Sequence, residues 1–236
     1  MSLRIACDLD GTLADMNAAL QREAERIFGE PVDLGARAPG VFTTVAQHRA
    51  AAGDEDVASV RGRMLAEGER SRLWNHVREI DNFWETLPEI EIGAVARLAV
   101  TVAVQGWEIL FLTRRPNTAG DTVQVQSQRW LRAHGFELPS VYVVSESRGK
   151  IAASLSLDAV IDDRPDNCVD VSGDSSAKPV LLWRDSPERL PPGLSRLPIQ
   201  VVSSMAEAIE HLTHLQARPT GPRGILGRLR QAFHPS

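Results

Sequence analysis

Two kinds of apolar pattern run along this chain. Short, nearly unbroken runs (Leu3 to Leu9, Trp107 to Thr113, then 140–145, 158–162 and 179–183) predict strands buried on both faces. Between them apolar residues recur at helical spacing. Residues 121–134 carry Val123, Val125, Trp130 and Leu131 and stop at Gly135. Residues 204–216 place Met205, Ala208, Ile209, Leu212 and Leu215 on one face, with Ser203 or Ser204 as the cap. Strands alternating with helices predict an α/β fold built on a Rossmann-like, largely parallel sheet covered on both faces.

One connection is too long for a crossover helix. About 95 residues separate the first two strands, and they have helical patterns of their own. Met16, Leu20, Ala24, Ile27 and Phe28 fit one helix ending at Gly29; Val57, Val60, Met64 and Leu65 fit another after Asp54-Glu55-Asp56. The Gly-, Pro- and Ala-rich stretch 30–53 between them reads as loop. The expected organisation is a core of residues 1–15 and 88–217, a small helical cap of residues 16–87 inserted after strand one, and a tail of residues 218–236. Residues 185–198, with four prolines, read as an irregular connection.

Composition changes this picture little. At 236 residues, 43% apolar and 24% charged, the chain is an ordinary globular protein. The absence of a membrane-length apolar run or a signal peptide predicts a cytoplasmic protein with no stable membrane insertion. Cys7 and Cys168 are too few for a disulfide framework and are expected as reduced thiols. Charge is more informative. The tail carries Arg218, Arg223, Arg228 and Arg230 and no acid, so the rest of the chain has 22 basic against 31 acidic residues. Such an acidic body argues against nucleic acid as a partner. The tail, weakly amphipathic through Ile225, Leu226, Leu229 and Phe233, would be a frayed or docked terminus, or would touch an anionic surface. Only Lys150 and Lys178 among the basic residues are lysines.

The candidate chemistry lies where predicted strands end, which is where open α/β sheets bind ligands. Strand one ends in Asp8-Leu9-Asp10-Gly11-Thr12-Leu13, two carboxylates on one side of an extended backbone. The second ends in Thr113-Arg114-Arg115-Pro116, the third is followed by Lys150, and the fourth ends in Asp162-Asp163. Paired carboxylates suit a hard cation, and one of them can act as a nucleophile. His211 and His214 lack a neighbouring acid or thiol and read as helix surface.

This ordered set resembles the haloacid-dehalogenase superfamily of phosphohydrolases over roughly residues 3–183, the cap matching in position rather than in sequence. The resemblance implies a phosphatase acting on a small phosphorylated substrate. Asp8 would be the nucleophile that becomes an aspartyl-phosphate, and Asp10 the general acid and base. Mg²⁺ would be held by Asp8, the Asp10 backbone carbonyl and Asp162, with Asp163 acting through water and Asp166 supporting from behind. Thr113, Arg114 and Lys150, with the backbone N–H groups of Leu9 and Asp10, would receive the phosphate. Lys150 would offset its charge, a role favoured by the scarcity of lysine.

Within the superfamily, Asp8 to Asp15, Phe83-Trp84-Glu85-Thr86-Leu87-Pro88 and the spacing from Gln128-Arg129-Trp130-Leu131 to Asp162-Asp163 resemble the 5′(3′)-deoxyribonucleotidases. That likeness implies a nucleoside monophosphate stacked against cap aromatics, for which Phe42, Trp74, Phe83 and Trp84 are the candidates and core packing the competing role. Arg114 and Arg115 depart from that pattern: they would favour a more anionic substrate, or Arg115 would be an ordinary surface residue. Another small metabolite such as a sugar phosphate is the alternative substrate, and a non-catalytic phosphate sensor the alternative function. Cleavage of phosphonates is disfavoured by the lack of a cap lysine, and of C–halogen bonds by the full Mg²⁺ set. The oligomeric state is not legible.

Overall fold

A computed structural model describes residues 2–34 and 63–217. Phe42, Val57 and Val60, with the rest of 35–62, and the tail 218–236 lie outside the described residues. In chain order the elements are β1 (Arg4–Asp8), α1 (Met16–Phe28), β2 (Val32–Asp33), β3 (Arg63–Met64), α2 (Glu67–Glu79), α3 (Ala94–Gln105), β4 (Glu108–Thr113), α4 (Val123–Ala133), β5 (Ser140–Val143), α5 (Arg148–Ser154), β6 (Ala159–Asp162), α6 (Pro165–Asp174), β7 (Lys178–Leu182), β8 (Gln200–Val202) and α7 (Met205–Ala217).

Six strands form one sheet in the order β5-β4-β1-β6-β7-β8, and every pairing is parallel. The strand alternation sends Ile5 and Cys7 to one face, packed with Phe111, Ile161 and Val180. Ala6 faces the opposite way, packed with Leu112, Val160 and Val171. A strand covered on both faces has no polar position to offer in its interior, which is why Ile5 to Cys7 of β1 are all apolar. Both cysteines are free and buried. Burial pushes the Cys7 thiol well up and the nearby Asp8 adds to it, so Cys7 is a small core side chain rather than a nucleophile.

The parallel α/β architecture is as expected, and the helices at 16–28, 123–133 and 205–217 agree with their patterns. Two of their caps show why. Gly29 takes the left-handed conformation that ends α1, and the Thr122 hydroxyl accepts from the Val125 N–H at the start of α4. Two readings need correction. The sixth strand, β8, was hidden by its three-residue length after the proline-rich connection. The helix expected over Val57, Val60, Met64 and Leu65 lies mostly outside the described residues, but its end does not hold: Met64 lies exposed in β3, and the next described helix begins at Glu67. The reason is local: the Glu69 carboxylate accepts the Ala66 N–H and pairs with Arg63, fixing Ala66, three residues before Glu69, as the cap. The two-residue strands β2 and β3 pair in parallel, Val32 with Arg63 and Asp33 with Met64.

The chain returns to the sheet through a 3-10 turn, Phe83–Glu85. Phe83 and Trp84 are fully buried, edge to face, with centroids 5.1 Å apart. Trp130 on α4 is also buried, and its indole N–H donates to the Leu87 carbonyl at 2.7 Å.

Candidate active site

Sheet order reverses direction of growth at β1: β4 and β5 lie on one side, β6 to β8 on the other. The carboxyl end of β1 is therefore the crevice of this sheet, flanked by the ends of β4 and β6. Asp8, Thr113 and Asp162 are brought together there by register, with Asp8 opposite Leu112 and Cys7 opposite Ile161. Beyond Asp8 the chain closes a tight turn in which the Leu9 carbonyl accepts from the Leu13 and Ala14 N–H groups. Gly11 in that turn has φ +88°, and a methyl there would overlap the Asp163 carboxylate. This position thus requires glycine for two independent reasons.

Asp8 and Asp162 are both buried and share one cation. Arg148 Nη2 donates to Asp8 Oδ1 at 2.7 Å, and its Nε lies 3.5 Å from Asp162 Oδ2 without making a hydrogen bond. Asp162 is held from its other sides. Asn167 Nδ2 reaches both oxygens at 3.0 and 2.8 Å, and the Arg164 backbone N–H donates to Oδ1 at 2.9 Å. Burial pushes the Asp8 carboxyl well above the usual carboxylate range; repulsion from Asp162 adds to this, and Arg148 opposes it. Burial pushes Asp162 in the same direction, with Arg148 and the Asn167 hydrogen bonds opposing.

Asp10 has a different setting. Arg115 grips it with two bonds, Nε to Oδ2 at 2.8 Å and Nη2 to Oδ1 at 2.7 Å, and the Thr113 hydroxyl donates to Oδ2 at 3.0 Å. Arg115 is itself enclosed: its Nη1 donates to Ser127 Oγ at 2.8 Å, and its guanidinium lies over the Trp84 ring, 4.9 Å from the centroid. On the remaining side of the crevice the Thr12 hydroxyl donates to Asp163 Oδ1 at 3.4 Å. Arg184 holds the turn from outside through the Gly11 and Thr12 carbonyls and pairs with Glu91.

Several expected roles change. Lys150 is exposed, and Arg148 is the cation on Asp8. The reason is helical: residues two apart on α5 point to opposite sides, so only one of the pair can face the crevice. Gly149 between them lies against α6, where a methyl would overlap the Asp170 carbonyl, and this close approach fixes which one. Arg115 is buried rather than on the surface, whereas Arg114 is exposed. The Thr113 hydroxyl is directed to Asp10. Asp166 is exposed and pairs with Arg164, and Asn167 supports Asp162 in its place. Phe83 and Trp84 are core and form no substrate wall, because the return turn inserts both under α4. Trp74 is half-buried against the core, and Phe42 lies outside the described residues. Sequence reasoning missed Arg148 and Asn167. Their signals were a second cation beside Lys150 and an amide in the first turn after Asp162-Asp163.

Among the described residues no three His, Cys, Asp or Glu side chains converge into a ready-made metal cage. The donor set nevertheless fits a small hard cation. Mg²⁺ keeps several waters and takes only one or two carboxylates. Asp8 and Asp162 are two buried carboxylates facing one arginine, an excess of negative charge that a divalent ion would offset.

No protein-family model matches the chain, and no curated protein matches it. Among the described residues no helix is long and apolar enough to cross a membrane. Solved structures do match. A haloacid-dehalogenase-family hydrolase from Deinococcus radiodurans R1, with bound phosphate and sodium, superposes with TM-score 0.51 at 16% identity, covering 90% of this chain and 96% of that one. A structure described as a dehalogenase gives TM-score 0.51 at 16% identity, covering 88% and 96%. With its all-parallel six-stranded sheet and helices, the chain has the Rossmann-like fold of the haloacid-dehalogenase hydrolases.

Proposed function

We propose that this protein is a Mg²⁺-dependent phosphomonoester hydrolase working through an aspartyl-phosphate, with a nucleoside monophosphate as the favoured substrate. The observation that carries the reading is the division of labour between two carboxylates two residues apart, Asp8 on Arg148 and Asp10 on Arg115. Arg148 restrains one oxygen of Asp8 and leaves Oδ2 to attack phosphorus. As the Asp8–phosphorus bond forms, the bond from phosphorus to the leaving oxygen breaks, and Asp10 gives that oxygen a proton. Asp10 then takes a proton from water, which attacks the acyl phosphate, releases phosphate and restores Asp8. Arg148, between Asp8 and Asp162, is placed to take up part of the charge on the phosphoryl group. Mg²⁺, held by Asp8, the Asp10 carbonyl and Asp162, would neutralise the rest. The phosphate and sodium bound to the Deinococcus hydrolase support an oxyanion and a cation in this crevice.

The substrate class rests on the sequence likeness to deoxyribonucleotidases, since Phe83 and Trp84 do not line the crevice. The test is phosphate release from a panel of nucleoside monophosphates and sugar phosphates, with Mg²⁺ and with chelator, beside Asp8→Asn. Release that needs Mg²⁺ and vanishes in Asp8→Asn supports the reaction. An active Asp8→Asn protein overturns it, and a preference for sugar phosphates overturns the substrate class alone.

A further inference from the structure

We infer that Arg115 is the positioning residue of the acid–base group, setting the stance of Asp10 over the leaving oxygen without touching substrate. The inference rests on the hydrolase reading above and deepens it. Three observations converge. Arg115 binds both oxygens of Asp10, so the carboxylate plane is fixed by a two-point grip rather than a pivot. The Arg115 side chain has no exposed surface, whereas Asp10 keeps 12% of its side chain open to the crevice. The arginine is therefore shielded from an incoming phosphate, while the carboxylate is not. Finally, the guanidinium is braced on its far side by Ser127 Oγ, which in turn donates to the Val123 carbonyl at 2.7 Å, and by the Trp84 ring. A relay thus runs from α4 and the 83–85 turn through Arg115 to Asp10. It gives Trp84 a role that its burial denies it as a substrate wall.

This arrangement bears on one proton. Asp10 must reach the leaving oxygen when the bond from phosphorus breaks, and general acid help is worth about 10²–10⁴-fold in rate. An ester whose leaving group departs as a stable anion, such as p-nitrophenyl phosphate, does not need that proton in its first step. An alkyl phosphate does. A residue that merely keeps the protein folded would affect both esters alike, and one that binds phosphate would raise KM for both.

The experiment uses the full chain with Mg²⁺ and follows the first turnover by rapid mixing, with glycerol phosphate and p-nitrophenyl phosphate as the two esters. Arg115→Lys retains charge but loses the two-point grip, and Arg115→Ala loses both. Ser127→Ala loosens the brace alone and serves if the arginine variants do not fold. We expect the first turnover of the alkyl ester to fall about 10- to 100-fold in Arg115→Ala, a part of the general-acid contribution. The p-nitrophenolate burst should stay within about threefold, KM for both esters within about twofold, and added guanidinium should restore part of the alkyl rate, because the chemistry of Asp8 is left intact. Equal losses on both esters, or a KM rise common to both, overturn the inference while leaving the hydrolase reading standing. No phosphate release from either ester by the unaltered chain overturns both.

Discussion

The two carboxylates that open this site are neighbours in sequence and opposites in setting. Asp8 and Asp162 share one guanidinium whose Nε finds no hydrogen-bond partner. Asp10 has a two-point grip from an arginine that is itself held from two more sides. The first half is short of positive charge. The second half is complete in itself. On the proposed function one strand end serves two tasks: incomplete neutralisation would attract a cation and a phosphoryl group, while full satisfaction would fix direction.

That contrast can be broken from either side. The largest effect belongs to Asp8→Asn, which removes the proposed nucleophile; kcat should drop by about 10⁴-fold or more, measured as phosphate release with the fold checked by circular dichroism. Next is Arg148→Gln. It should lower kcat by about 10²–10³-fold, the scale for losing one charge-stabilising donor. It also leaves the buried Asp8 carboxyl without its ion-pair partner, so stability without metal should fall by about 3–5 kcal/mol. Added Mg²⁺ should then raise the melting temperature of Arg148→Gln more than that of the unaltered chain. Equal shifts would show that the Asp8 half is not the cation-hungry one.

Gly11→Ala sharpens the comparison at the turn joining the halves. Its left-handed backbone costs roughly 1–2 kcal/mol for any other residue, and its methyl displaces Asp163. Urea unfolding should report that loss, with a weaker apparent Mg²⁺ affinity in activity assays. The smallest effect lies far from the site. Arg63 and the Ala66 N–H hold the half-buried Glu69 carboxyl at about 2. A depressed carboxylate stabilises the fold above its unfolded value near 4.5 and loses that contribution as pH falls toward 2. The melting-temperature gap between the unaltered chain and Glu69→Gln should therefore narrow over that window, and shrink in high salt. A gap constant across the window would show that Glu69 contributes through packing rather than charge.

How much of this was legible in the sequence depends on what each residue needed. Buried parallel strands announce themselves, because both faces must be apolar. Asp8, Asp10, Asp162 and Asp163 were legible because strand ends in such a sheet converge by topology. The cation was misread. Scarcity of lysine made Lys150 conspicuous, yet a chain that uses arginine for nearly every positive charge has reason to use it here as well. The choice between Arg148 and Lys150 depended on the orientation of one helix, which Gly149 sets through a contact with α6 invisible to periodicity. Phe83 and Trp84 were ambiguous for a similar reason. Aromatic side chains suit a ligand wall and a core equally well, and only the position of the return turn under α4 separates the two.

The smallest sheet in the molecule has a consequence of its own. β2 and β3 pair in parallel over two residues each, Val32 beside Arg63 and Asp33 beside Met64, so the excursion between them leaves from and returns to one short ladder. Lengthening such an excursion carries only a logarithmic entropic cost, about 0.6 kcal/mol per doubling. Exchange or insertion between positions 34 and 63 is thus expected to leave the register of every strand that carries a carboxylate unchanged, since β1 and β6 lie in the other sheet. Descendants of one ancestral chain could diverge by trading this piece alone, and an engineer could do the same.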